Sequence, residues 1–165
     1  MLLDKKQEAI LIYAYTWNGE LTMNVTSIGP RCACNNLRRT TQAVTLYYDR
    51  YLQPSGLRTS QFSLLIAISL NEEVSISELG DKIGRDQTTI TRNVEILKKH
   101  GYITITRKEN DARKKALFIT EEGKNKLAEV LPLWEEAQTH IEKELGVERL
   151  ADFFRTLKIL EQVVK

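Results

Sequence analysis

Histidine, cysteine and proline are scarce here: two, two and three among 165 residues. Two cysteines in a chain this long do not make a disulfide scaffold, so the cytoplasm is the expected compartment. Cys32 and Cys34 form a Cys-x-Cys, but zinc needs four ligands, and His100 and His140 stand at no supporting spacing. No metal site is expected. There is no Cys-x-x-Cys, no glycine-rich phosphate loop, and no carboxylate or histidine constellation at catalytic spacing. Neither an enzyme, such as a thiol oxidoreductase using the two cysteines, nor a cofactor is expected. The apolar run from Ala9 to Tyr15 falls well short of the roughly 20 residues that span a bilayer. The N-terminus also lacks the strongly basic start and small-residue cleavage site of a signal peptide. No membrane partner is expected.

What is present is ordinary globular material, 42% apolar and 28% charged, without low-complexity tracts or internal repeats. The length suits one domain with a full core, or a core with dimerisation arms. Charge is unevenly placed. The formal net charge is +2, yet Lys82 to Lys115 alone holds ten Lys and Arg against four Asp and Glu, a net +6. The preceding residues net −1 and the following ones −3. A basic segment between acidic flanks is what phosphate neutralisation requires.

That segment lies within the stretch around which the chain is organised, Ser75 to Glu122. Ile76, Leu79 and Ile83 recur at helical spacing, and Gly84 offers the left-handed conformation that ends helices. Asp86 is placed to cap a second helix, in which Ile90, Val94 and Leu97 form the buried stripe. The opposite face carries Gln87, Thr88, Thr91, Arg92, Glu95 and Lys99. Amide, hydroxyl and guanidinium groups near a helix N-terminus suit the reading of base edges, though the same face is also what a solvated helix shows. Gly101 closes the helix. Ile103 and Ile105 then alternate with Tyr102, Thr104 and Thr106 as in a strand, and Leu117 to Ile119 can pair with it antiparallel. Between them Arg107 to Lys115 is too polar to pack and reads as a charged tip. There an Asp111–Arg113 ion pair, worth well under about 1 kcal/mol, can aim Arg113 outward. A free arginine on a thin ribbon suits a DNA minor groove; a plain surface hairpin is the alternative. The pattern is a winged helix-turn-helix.

From about Cys32 onward the chain resembles the MarR family of bacterial transcriptional regulators. The resemblance is carried by Leu57-Arg-Thr-Ser-Gln-Phe62, Asp86-Gln-Thr-Thr-Ile-Thr-Arg-Asn-Val94, Leu97-Lys-Lys-His-Gly-Tyr-Ile103, Asp111-Ala-Arg113 and Ile119-Thr-Glu-Glu-Gly123. It implies a homodimer on a near-palindromic double-stranded DNA operator, usually a repressor released by a small-molecule effector or by thiol oxidation. Gln87, Thr88, Thr91 and Arg92 then fall on the recognition helix, and Arg113 matches the wing arginine. Phosphate contacts are expected from Lys98, Lys99, Arg107, Lys114 and Lys115. A winged-helix module that docks protein, without a specific DNA target, is the alternative.

The expected fold is mainly α, an α+β winged helix-turn-helix with about six helices, a two- or three-stranded β-wing and helical dimerisation arms. Residues 56–123 form the DNA-binding lobe, and 31–55 with 124–165 the dimerisation region. Residues 1–30 stay an open N-terminal extension: 1–22 read as a translated upstream stretch or a lineage-specific addition, or as an extra element on the dimer. A helix is expected from about Cys34 to Leu52, ended by Pro54-Ser-Gly56. Thr59 or Ser60 is expected to cap the next, with Phe62, Leu65, Ile66 and Ser69 inward. Tyr47, Tyr48 and Tyr51 pack the core and interface, or wall the effector pocket that the family places between arms and lobe. Cys32 and Cys34 are buried structural residues, or redox sensors activated by Arg31, Arg38 and Arg39. Thr120 caps a long helix with a stripe of Leu127, Val130, Leu131, Trp134, Ala137 and Ile141, bent at Pro132. Gly146 separates it from a last helix bearing Leu150, Phe153, Phe154, Leu157 and Leu160. These stripes exceed what the winged unit can cover, so a two-fold partner is expected.

Overall fold

One helix, Thr59–Ser69 (α3), packs against three other helices and a strand and sets the architecture. The computed structural model describes the backbone of residues 25–71, 73–84, 86–108 and 111–164. Val25–Arg31 (α1) and Ala33–Leu52 (α2) come first, and a 3-10 turn, Gln53–Ser55, leads through Gly56 into α3. Ile76–Ile83 (α4) and Gln87–Lys99 (α5) follow, then strands Ile103–Lys108 (β1) and Asp111–Ile119 (β2). Glu121–Leu145 (α6) and Val147–Val163 (α7) complete the chain. The fold is a mainly helical winged helix-turn-helix. It has seven α-helices among the described residues, in keeping with the expected number of about six; α1 is the one the sequence pattern did not mark. The chain divides between Val44 and Thr45 into two compact units, and the core belongs to the second.

The sequence pattern gives α3 a single inward face. In fact Phe62, Leu64, Leu65 and Ile68 are all buried while Ser69 is exposed. The reason is packing: α3 meets α4, α5, α6 and β2, so its apolar surface is covered from several directions. Nor do Thr59 and Ser60 cap it. Arg58 holds that position, and its N–H donates to Gln61 Oε1 at 2.9 Å. Thr59 is already helical, and its N–H and hydroxyl both donate to Asp49 Oδ1 at 2.7 Å. A carboxylate ten residues upstream thus ties the end of α2 to the start of α3.

The other helix ends follow local chemistry. Ser75 and Glu78 bond reciprocally at the start of α4, Glu78 N–H to Ser75 Oγ at 3.3 Å and Ser75 N–H to Glu78 Oε2 at 2.7 Å. Gly84 ends α4 at φ 66°. The Thr120 hydroxyl accepts from Gly123 N–H at 3.0 Å and donates to the Gly101 carbonyl at 2.6 Å, fixing α6 to the turn before β1. Gly123 is buried there, and a Cβ on it would fall 2.1 Å from the Tyr102 carbonyl oxygen. α6 runs unbroken through Pro132.

The two strands pair antiparallel from Ile103↔Ile119 to Arg107↔Lys115, with an irregularity at Arg107/Lys108 before Lys108 meets Asp111. The ribbon is therefore longer than the sequence pattern suggested: Arg107, Lys108, Asp111 and Lys115 of the expected tip are paired in the ladder, because ladder bonds need no apolar side chains. A single bridge, Leu117 N–H to the Val74 carbonyl at 2.8 Å, joins the wing to the lobe where a third strand was considered.

Candidate nucleic-acid interface

The face that matters is made by α5. Its buried side is complete: Ile90, Val94 and Leu97 are each at most 1% exposed. The helix is anchored at its start by Asp86, whose Oδ1 accepts from Thr89 N–H at 2.9 Å and whose Oδ2 accepts from the Thr89 hydroxyl at 2.7 Å. The side-chain bond from Thr89, followed by the backbone one, holds the Asp86 carboxyl below the usual aspartate range. With one side buried and the start clamped, the orientation of the other side is determined.

That other side presents Gln87, Thr88, Thr91 and Arg92, all exposed, with Lys98 and Lys99 exposed at the far end. Gln87, Thr88 and Arg92 make no side-chain hydrogen bond within the described residues. Thr91 does: its hydroxyl donates to the Gln87 carbonyl at 2.8 Å. Lys115 is exposed on β2, opposite Arg107 in the ladder. The side chains of Arg107, Asp111, Arg113 and Lys114, including the expected Asp111–Arg113 pair, lie outside the described residues.

A family profile for MarR matches residues 57–115, from the start of α3 to the middle of β2. The transcriptional regulator MosR of M. tuberculosis, solved in complex with DNA, is 34% identical; the match covers 81% of this chain and 98% of that one, with a TM-score of 0.70. This chain belongs to the MarR family. It is a MarR-type transcriptional regulator on a winged-helix fold, not an enzyme. The HTH-type transcriptional regulator SarZ of Staphylococcus epidermidis is 35% identical over 78 residues, 47% of this chain and 53% of that one. BilQ of Clostridioides difficile is 25% identical over 118 residues, 72% of this chain and 80% of that one.

The three tyrosines come together away from this face. The rings of Tyr47 and Tyr48 meet edge-on with centroids 5.7 Å apart, and Tyr47 lies 5.0 Å from Tyr51. They join α2 to α6 through partners that nothing in the local sequence marks. The Tyr48 hydroxyl donates to Gln138 Oε1 at 2.5 Å, and that of Tyr47 donates to the Ala137 carbonyl at 3.3 Å and lies 3.0 Å from His140 Nδ1. Burial first, then the neighbouring Tyr51, pushes the Tyr47 phenol up to about 12. Tyr51 also borders an open depression of about 520 Å³ with Pro132, Glu135, Glu136, Thr139, His140 and Lys143.

Both cysteines are free thiols; within the single chain Cys32 is half-buried and Cys34 exposed. Cys32 stands between α1 and α2, and its Sγ accepts from Asn35 N–H at 3.4 Å, a sulfur in the place of an N-cap oxygen. Among the described residues no cluster could hold a metal ion, and no helix is long and apolar enough to cross a membrane.

Proposed function

We propose that the protein is a homodimeric repressor that binds a near-palindromic operator in double-stranded DNA. The observation that carries this reading is the exposed N-terminal half of α5. There Gln87, Thr88, Thr91 and Arg92 stand on a helix whose opposite side is fully buried, within a segment of net charge +6. Arg92 can fork onto guanine and Gln87 onto adenine. Lys98, Lys99, Arg107, Lys114 and Lys115 contact phosphate, and Arg113 on the wing enters the minor groove. The MosR structure, in complex with DNA, supports the same partner for this chain.

The partner copy covers the exposed apolar side of α7, where Phe154 is 54% and Ile159 60% exposed. Two-fold symmetry then separates the half-sites by about one helical turn, roughly 34 Å. Release comes from an effector that favours one separation of the recognition helices over the other. The depression beside Tyr51 is the favoured place for a small ligand. Cys34, exposed and free, is the favoured place for an oxidant.

The test is a mobility-shift titration against the DNA upstream of the protein's own gene, with random duplex as competitor. Specific binding by two copies per duplex supports the repressor reading and provides the assay for ligands, peroxide and Cys34→Ser. Binding no tighter than to random duplex, there and in a selection from random sequence, overturns it.

A further inference from the structure

The first turns of α5 hold three threonines, and their hydroxyls are not equivalent. Thr89 spends both its hydroxyl and its amide on Asp86. Thr88 is exposed and makes no side-chain hydrogen bond within the described residues. Thr91 is exposed too, yet its single O–H is directed at the Gln87 carbonyl, 2.8 Å away and one helical turn back. A hydroxyl has one proton to give and two lone pairs to receive with. With that proton committed to the helix backbone, Thr91 offers a base edge its oxygen as an acceptor and its methyl group as an apolar surface.

Those two properties select among base pairs. In the major groove an A·T pair presents in order the adenine N7 acceptor, the adenine amino donor, the thymine O4 acceptor and, at its outer edge, the thymine methyl. A G·C pair presents the cytosine amino group but no methyl, and its guanine edge shows only acceptors, which an acceptor-only threonine cannot satisfy. Gln87 and Arg92 supply donors on the same face; Thr91 supplies none. From this division we infer that Thr91 is a specificity-determining residue that reads an A·T pair through the thymine methyl, while its hydroxyl is held on the Gln87 carbonyl. The inference rests on α5 being the base-reading helix.

Replacing thymine by deoxyuridine removes the C5 methyl and nothing else, and so isolates the contact. A duplex selected from random sequence by the full-length protein is resynthesised with each thymine changed singly to deoxyuridine. Wild type, Thr91→Ser and Thr91→Val are then titrated against each duplex. Serine keeps the hydroxyl and lacks the methyl; valine keeps the methyl and lacks the hydroxyl. At one position per half-site the change should weaken wild-type binding about fourfold, the worth of one methyl group removed from water. Thr91→Val should show the same loss there, and Thr91→Ser none. If Thr91→Ser remains as sensitive as wild type at every position, or Thr91→Val loses its sensitivity, the inference is overturned while the regulator reading stands. If selection yields no duplex preferred over random DNA, the regulator reading falls and this inference with it.

Discussion

Phe62 and Phe154 are the same residue in opposite circumstances. Phe62, on α3, is 2% exposed within a cluster that draws on α2, α4, α5, both strands and α6. Phe154, on α7, is 54% exposed, and Phe153, Ile159 and Val163 around it are 42%, 60% and 76% exposed. α7 contributes one buried residue, Leu150. The lobe, with the adjoining ends of α2 and α6, therefore has a solvent-excluded interior, whereas the last helix carries apolar surface that the described residues leave exposed. Scattered exposed apolar residues are ordinary, but several along one helix mark a surface made for something else.

The strongest way to break the contrast is at Phe62. Phe62→Ala leaves a cavity in the middle of the lobe and should cost about 3–5 kcal/mol of unfolding free energy, read by urea denaturation. A loss below about 1 kcal/mol would mean that the lobe does not depend on this core. Next is Gly123→Ala. Its Cβ would meet a backbone oxygen rather than a yielding side chain, so the start of α6 must shift away from Tyr102. The expected cost is about 1–3 kcal/mol, and wild-type stability in the variant would refute the close approach.

The arm should respond differently. Phe154→Ser removes no core contact, so within a single copy its effect should stay within about 0.5 kcal/mol. Its consequence should appear in association. Sedimentation equilibrium should find the wild type dimeric and the variant shifted toward monomer, and the wild-type melting temperature should rise with concentration more than the variant's. A variant that associates as tightly as wild type would remove α7 from the interface and leave its exposed face unexplained.

The same contrast governs what could be read from the chain beforehand. Elements whose signals are local were legible. Gly84, Asp86, Gly101, Thr120 and Gly146 each end or cap a helix within a turn of themselves, and each stands where the pattern placed it. The stripe of α5 was legible because only one side of that helix is buried. The stripe of α3 was not, because a helix covered from several directions has no polar face to betray its orientation. Asp49 bonding Thr59, Gln138 meeting Tyr48 and the Tyr102 carbonyl crowding Gly123 were invisible for another reason. Each joins residues brought together by the tertiary fold, and neither partner looks unusual in its own neighbourhood. On the candidate interface, the residue types could be read from the sequence. The direction of the Thr91 proton could not, since only the backbone one turn back decides it.

The smallest expected effect lies where the lobe meets solvent. Asp86 is exposed, yet its two bonds with Thr89 hold its carboxyl below the ordinary 3.8. A depressed pKa in the folded state means that the unfolded chain takes up the proton first as the pH falls. The contribution of this group is therefore fully present above 3.8 and is lost as the pH drops through the lower folded value. Asp86→Asn keeps a capping oxygen but cannot titrate. The stability difference between wild type and Asp86→Asn, measured by urea denaturation across a pH series, should be level near neutrality and shrink as the solution becomes more acid than 3.8. A difference that ignores pH would mean that the carboxylate acts only as a neutral acceptor would. In that case the start of α5 is fixed by hydrogen-bond geometry alone, and salt should leave the capping contribution unchanged.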